Sequence, residues 1–185
     1  MKIYLASRSP RRHELLKQID VDFEVIDIDI DESIKKDEVP IDYVRRISIQ
    51  KARAGKKIAK KSYPVIAADT AVAIGNSILG KATCSEEAMS MLNKLSGLTH
   101  TVLSAVSVIG KKEITKVNIS KVTFKPLSDN DIANYCQTNE PIGKAGGYAI
   151  QGKGALLIKK LEGSYSGVMG LPLDETHQLL VELLN

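Results

Sequence analysis

The stretch Pro64-Val-Ile-Ala-Ala-Asp-Thr-Ala-Val-Ala-Ile-Gly-Asn76 decides how this chain folds. Its apolar run reads as one long strand that turns at Gly75-Asn76 into a hairpin partner ending near Leu79. Asp69-Thr70 interrupts the run, with Val65 to Ala68 before it and Ala71 to Ile74 after it. A carboxylate in such a run is costly unless it is paired, hydrogen-bonded or metal-bound. Either Asp69 is satisfied locally at a strand bend, or it is a functional carboxylate. The second reading is the working expectation.

Working outward, residues 3–6 read as a short buried strand, followed by Ser9 as an N-cap with Pro10 at the first helical position. Leu15, Leu16 and Ile19 form the apolar face of that helix. Phe23 to Ile28 read as a second strand with an acidic exit, Asp27 to Glu32. Pro40 opens a long helix over residues 41–61, its inner side marked by Val44, Ile47 and Ile58. Beyond the hairpin, Thr83-Cys-Ser-Glu86 reads as a capping box for a helix with Met89, Leu92 and Leu95 inside and Gly97 as its stop. Residues 99–109 and 113–124 are two strands joined at Gly110-Lys111, and Ser128 caps a short helix. Residues 143–154 hold five glycines, a loop that something approaches closely. Ala155 to Leu161 read as a strand and residues 172–184 as a closing helix. The pattern is α/β with a mixed sheet.

Arg11 and Arg12 fall in the first turn of the first helix, where the macrodipole is already positive and acids are the usual occupants. The bland reading is a solvated basic turn. The alternative is an anion cradle: unpaired N–H groups, two guanidinium groups and the hydroxyls of Ser7 and Ser9 converging after a strand. Asp29, Asp31 and Glu32 are oxygen ligands of the type that suits Mg²⁺ or Mn²⁺, with Glu32 on the opposite face from the two aspartates. Lys51 lies inside the long helix, Lys81 follows Gly80 after the hairpin, and Lys144 opens the glycine-rich stretch, which lacks the spacing of a Walker A loop. With three histidines in the chain, neither a histidine triad nor a zinc motif is supported, and His100 is expected to be structural.

The bulk properties narrow the partners. The chain has 185 residues, 43% hydrophobic, enough for one globular unit or two small lobes sharing a core. A net charge of +4 fits an anionic small molecule as well as a nucleic acid. Aromatics at 4% and no Trp leave little for stacking on nucleic acid, so no nucleic-acid partner is expected. No segment reads as a signal peptide or membrane span, and Cys84 and Cys136 match no zinc or redox spacing, so a reducing, cytoplasmic setting is expected.

Taken in order, Leu5-Ala-Ser-Arg-Ser-Pro-Arg-Arg12, Asp31-Glu32-Ser33, Lys51-Ala52, Ala68-Asp69-Thr70, Gly80-Lys81, Leu95 to His100, Lys144-Ala-Gly-Gly-Tyr148, Ile150-Gln-Gly152 and Gly170-Leu-Pro-Leu173 resemble the Maf family of nucleoside triphosphate pyrophosphatases, over residues 1–185 as a single domain. The resemblance implies a two-lobed α/β fold, similar to that of inosine triphosphate pyrophosphatase, with a mixed sheet, flanking helices and a central cleft. It implies cleavage between the α and β phosphates, with Asp69 as catalytic base. Ser7, Arg12, Glu32, Lys51 and Lys81 would line the triphosphate and metal site, with Glu32 and Asp69 toward Mg²⁺ or Mn²⁺. Arg11, Thr70 and Gln151 match the branch that acts on dTTP and UTP, and the Gln151 amide suits the O4/N3–H edge of uracil or thymine. A homodimer is implied by the same analogy. Because Maf proteins are also linked to arrest of septum formation, the alternative is a nucleotide-binding regulator of cell division with little turnover. Two departures stand out: Ala82 replaces the usual Pro, expected to loosen the loop holding Lys81, and Gly167 stands where Asn is frequent.

Overall fold

The structure is a computed structural model describing residues 2–184. In chain order the elements are β1 (Lys2–Leu5), α1 (Pro10–Gln18), β2 (Asp22–Val25), α2 (Pro40–Ile58), β3 (Val65–Ile74), β4 (Ser77–Leu79), α3 (Ser85–Leu95), β5 (Thr99–Ile109), β6 (Glu113–Phe124), α4 (Asp129–Cys136), a 3₁₀ turn (Lys153–Leu157), β7 (Ile158–Glu162), α5 (Tyr165–Met169) and α6 (Leu173–Leu184). The strands form one seven-stranded sheet in the order β2-β1-β3-β5-β6-β7, with β4 also on β3. β1 runs parallel to β2 and β3, and the other pairings are antiparallel. The sheet is therefore mixed, as the pattern of elements predicts.

The strand β3 is interior because both of its faces are apolar. Val65, Ala67, Ala71 and Ala73 face α2, which supplies Val44 and Ala52. Ile66, Ala68 and Val72 face the other way. On that second face the core is in two parts. Ile66, Val106 and Val108 pack with Leu15 and Leu16 of α1 and Leu179 of α6. Val72, Val102 and Val122 pack with Leu92 and Leu95 of α3 and Ile132 of α4. Between them runs a polar row across three strands, Thr70, Ser104 and Asn118, each in register with the next. Two lobes thus share the long strands and part at this row.

One edge of β3 is split at the same level. β1 pairs with it only at Val65 and Ile66, and β4 begins to pair only at Val72. Asp69 and Thr70 lie in the gap, where β1 leaves the sheet and turns into α1. This is the situation in which open α/β sheets form ligand crevices.

The inner stripe of α2 is Val44, Ile47, Ser48, Lys51, Ala52 and Gly55, a helical repeat that carries a lysine into the interior. Gly55 permits it: a Cβ there would lie 2.9 Å from the Ala6 Cβ and 3.0 Å from Val65 Cγ1.

Several sequence expectations are corrected. The second strand stops at Val25, and α2 stops at Ile58, which is exposed and flanked by Lys56, Lys57, Lys60 and Lys61, which draw the chain into solvent. Ser9 occupies the N-cap of α1, but its side chain makes no capping bond; Ser7 Oγ accepts the Ser9 N–H instead. The box before α3 is offset by one: Thr83 donates both its N–H and its hydroxyl to Glu87. Ala88, not Met89, faces inward on α3. Ala155 to Leu157 are 3₁₀ turn, not strand, because the Glu140 carboxylate caps that turn through the N–H groups of Lys153 and Gly154. The hairpin at Gly75-Asn76, the turn at Gly110-Lys111 and the Ser128 cap are as expected, the last a full capping box with Asp131.

Under the glycine-rich loop, His100 is buried edge-on against Phe124 and Tyr148 and shares a 2.8 Å hydrogen bond with the Tyr148 hydroxyl. This is the structural role expected of it.

Two stability outcomes follow from this packing. Gly55→Leu overfills the contact of α2 with β1 and β3 and should cost about 2 kcal/mol in urea unfolding, despite its better helix propensity. Burial lowers the His100 imidazole from 6.5 to about 4. The unfolded chain gains this proton below pH 6.5 and the native protein only near 4, so stability falls as pH drops through that window. The contribution is up to about 1.4 kcal/mol per pH unit, and His100→Leu should remove it from the pH dependence measured by urea unfolding between neutral and mildly acidic pH.

Candidate active site

The gap beside β3 opens into a cavity of about 510 Å³. Arg11 and Arg12 reach it from the first turn of α1, Lys51 from α2, Asp69 and Thr70 from β3, and Lys81 from the segment after β4. Lys144, Tyr148 and Gln151 come from the glycine-rich loop, and Val72, Val102 and Met169 form an apolar wall. Seven of the eight expected substrate and catalytic residues line this one hollow; the exception is Ser7, which stands behind it with the expected metal ligand Glu32. Ser7 is buried and its Oγ accepts from Arg12 Nη1 at 3.2 Å. Glu32 touches the two lysines that do face the cavity.

Alternating charges hold the floor together. Lys51 Nζ donates to Asp69 Oδ1 at 2.8 Å and reaches Glu32 Oε1 at 2.9 Å. Lys81 Nζ donates to Glu32 Oε2 at 2.9 Å. Burial by itself would raise the Glu32 carboxyl, but the hydrogen bonds and charges of Lys81 and Lys51 outweigh it and hold the group down to about 2. Glu32 is therefore ionised at any physiological pH. Asp69 is buried, and its Oδ2 has no hydrogen-bond partner among the described residues.

Arg8, which also lines the cavity, pairs with Asp27 at 2.8 Å, whereas Arg11, Arg12 and Lys144 form no ion pair among the described residues. Arg12 spends its donors on Gly170 O at 2.7 Å and on Ser7 Oγ, and Lys144 on the Ile142 carbonyl at 3.2 Å. Burial lowers the pKa of Arg11, Arg12 and Lys144, outweighing the opposing pull of nearby acids such as Asp69 on Arg12 and Glu140 on Lys144. A polyanion entering the cavity would pair with them. The α1 N-terminus adds to this potential, which is why two arginines there are no longer anomalous.

Thr70 takes part in a directed relay. Ser104 Oγ donates to Gly167 O at 2.6 Å, which uses its one proton, so Thr70 Oγ1, 2.7 Å away, donates to Ser104. Toward the cavity Thr70 keeps only acceptor capacity. The relay ties β3 and β5 to α5, whose next residue, Gly170, holds Arg12 through its carbonyl. Neither Ser104 nor this carbonyl was marked by the sequence; the signal was only a serine interrupting the apolar face of a long strand.

The departures at Ala82 and Gly167 are accommodated. Ala82 donates its N–H to Lys144 O at 3.3 Å, a bond that Pro could not make, and its carbonyl accepts from Gly143 N at 2.8 Å. The loop holding Lys81 is laced to the glycine-rich loop and not loosened. The space beside Gly167 is filled by Asn118, whose Oδ1 would lie 2.7 Å from a Cβ there.

The donors present also fit a hard divalent cation. Asp69 Oδ2 is a buried, unused carboxylate oxygen beside a second carboxylate, Glu32. Mg²⁺ binds through one or two carboxylates completed by substrate phosphates. No group of three or more His, Cys, Asp or Glu side chains suited to a metal gathers among the described residues, so phosphate oxygens would have to complete the set. No helix among the described residues is long and apolar enough to cross a membrane.

Comparison with known proteins agrees with this geometry. The family described as Maf-like protein matches residues 2–183. The chain is 48% identical over 185 residues to a protein of Alkalilimnicola ehrlichii named dTTP/UTP pyrophosphatase, covering 97% of this chain and 92% of that one. It is 46% identical over 183 residues to a protein of the same name from Xanthomonas euvesicatoria, covering 96% of each. Among solved structures, a HAM1 protein from Coxiella burnetii shares the fold with a TM-score of 0.55 at 16% identity, over 98% of this chain and 99% of that one. A cavity ringed by cations in the split edge of a mixed sheet, and a family match along nearly the whole length, lead to one conclusion: this chain belongs to the Maf family.

Proposed function

We propose that this protein is a nucleoside triphosphate pyrophosphatase that hydrolyses dTTP and UTP to the monophosphate and pyrophosphate. The name carried by its relatives at 46–48% identity supports the reaction and substrates. The observation that carries the reading is the buried Asp69 carboxylate, with one oxygen unused, facing a hollow ringed by cations, of which Arg11, Arg12 and Lys144 form no ion pair among the described residues.

In this reading Arg11, Arg12, Lys51 and Lys81 grip the triphosphate, with Ser7 orienting Arg12. Lys51 fixes Asp69 Oδ1, leaving Oδ2 to take a proton from water as the water oxygen attacks the α phosphorus. The bond from the α phosphorus to the oxygen it shares with the β phosphorus breaks, and pyrophosphate leaves carrying that oxygen, its new charge held by the arginines and lysines. Glu32 and Asp69 would hold a divalent cation, Mg²⁺ or Mn²⁺, which when bound polarises the phosphate oxygens. Thr70, an acceptor toward the cavity, and the Gln151 amide supply complementary groups for sugar or base. A cytoplasmic setting, expected from the cysteine usage, and a homodimer, implied by the resemblance, belong to the same reading.

Asp69→Asn removes the proton acceptor but keeps the shape. It should lower pyrophosphate release from dTTP with Mg²⁺ by at least about 10²-fold while nucleotide binding, followed by calorimetry, persists. Undiminished turnover in this variant would reject Asp69 as the base. Chelation of divalent ions with EDTA should abolish release from dTTP and UTP, and added Mg²⁺ or Mn²⁺ should restore it; activity that survives chelation removes the metal from the reading.

A further inference from the structure

Gln151 lies on a segment, Ala149 to Gly154, that has little regular structure of its own to hold it in place. It is held from behind, on both sides of Gln151, by a phenol and a carboxylate. The Ala149 N–H donates to Tyr135 Oη at 3.0 Å, and the Tyr135 hydroxyl donates to Glu140 Oε1 at 2.8 Å. The Gly154 N–H donates to the same Oε1 at 3.0 Å and the Lys153 N–H to Oε2 at 3.0 Å. The approach is so close that a Cβ on Gly152 would overlap the carboxylate. Burial alone would raise Glu140, but the donors from Gly154, Lys153 and Tyr135 outweigh it and keep the group ionised. The charge of Lys144 also favours the ionised form. The carboxylate is absent from the cavity wall, and every acceptor direction accounted for points at the backbone that carries Gln151 or at the tyrosine that helps to hold it.

We infer that Glu140 is a positioning residue for base selection: through Tyr135 and the N–H groups of Ala149, Lys153 and Gly154 it fixes the backbone that presents Gln151 to the nucleobase, without touching the substrate. The inference rests on the pyrophosphatase reading above. The phosphate-gripping groups come from α1, α2 and the segment after β4, and the proposed base from β3. Loosening the Gln151 segment therefore changes how the base is chosen more than how the anhydride is broken. Glu140→Gln keeps the shape but turns an NH₂ group toward backbone donors, so one bond is lost and one donor faces another.

The test is steady-state pyrophosphate release by wild type, Glu140→Gln and Tyr135→Phe with dTTP, UTP and dCTP, alongside thermal unfolding of each. Both variants should raise KM for dTTP and UTP about tenfold and lower the preference for dTTP over dCTP about tenfold, with kcat changed less than about threefold. Folded variants that keep the wild-type preference overturn the inference, as does an equal loss of kcat on all three nucleotides. If Glu140→Gln fails to fold, Tyr135→Phe, which removes one hydroxyl, decides by the same ratios. Wild-type protein inert toward dTTP and UTP overturns the pyrophosphatase reading itself, and this inference with it. Active wild type with unselective variants supports both.

Discussion

The buried ammonium of Lys51 is the group around which the rest of the site is built. Asp69 sits on an interior strand, among alanines and valines, where an unpaired carboxylate would not be tolerated. Lys51 sits on the inner stripe of α2, where an unpaired ammonium would be equally costly. Each is acceptable only because the other is 2.8 Å away. The pair fixes α2 against β3, and through Glu32 and Lys81 it draws in the acidic loop and the segment after the hairpin. A hydrophobic pair would hold the same elements, and such replacements are often neutral or stabilising. The charges are better understood as serving chemistry.

The place of the pair follows from topology. β1 and β4 approach the same edge of β3 from opposite ends and leave a gap between Ile66 and Val72. The polar row of Thr70, Ser104 and Asn118 divides the core at that level. Strand edges and polar rows weaken a sheet, and here they coincide, so the weakness is confined to one cleft. Around it the protein concentrates positive charge that it does not neutralise. Arg11 and Arg12 stand at the positive end of α1, and burial works against the charge of each. Such unfavourable burial of charge is a compromise commonly met at functional sites.

Local signals in the chain were reliable where a single residue type answers a backbone requirement. Gly75-Asn76 and Gly110-Lys111 mark turns, and Ser128 marks a helix start, whereas Asp29 and Asp31, read with Glu32 as candidate metal ligands, are exposed. Signals failed where a distant partner decided. Ala155 to Leu157 have the composition of a strand, but a carboxylate at Glu140 turns their approach into a 3₁₀ cap. Met89 is more hydrophobic than Ala88, yet the tight contact of α3 accepts the smaller side chain. The Ser104 relay and the carbonyl of Gly170 were illegible because serines and backbone oxygens carry no pattern until something faces them.

By itself, then, the chain determined its elements, its mixed α/β class and the chemical types collected for the site: one acid in an apolar strand, several cations, an amide in a glycine-rich loop. These are properties of neighbouring residues, set by propensity, periodicity and the cost of burying charge. Tertiary structure alone decided which cations Asp69 and Glu32 neutralise and which remain free, that Thr70 is an acceptor toward the cavity, and that Glu140 stands behind Gln151. Those outcomes depend on distances of about 3 Å between residues remote along the chain, and electrostatic and hydrogen-bond energies change sharply over that range.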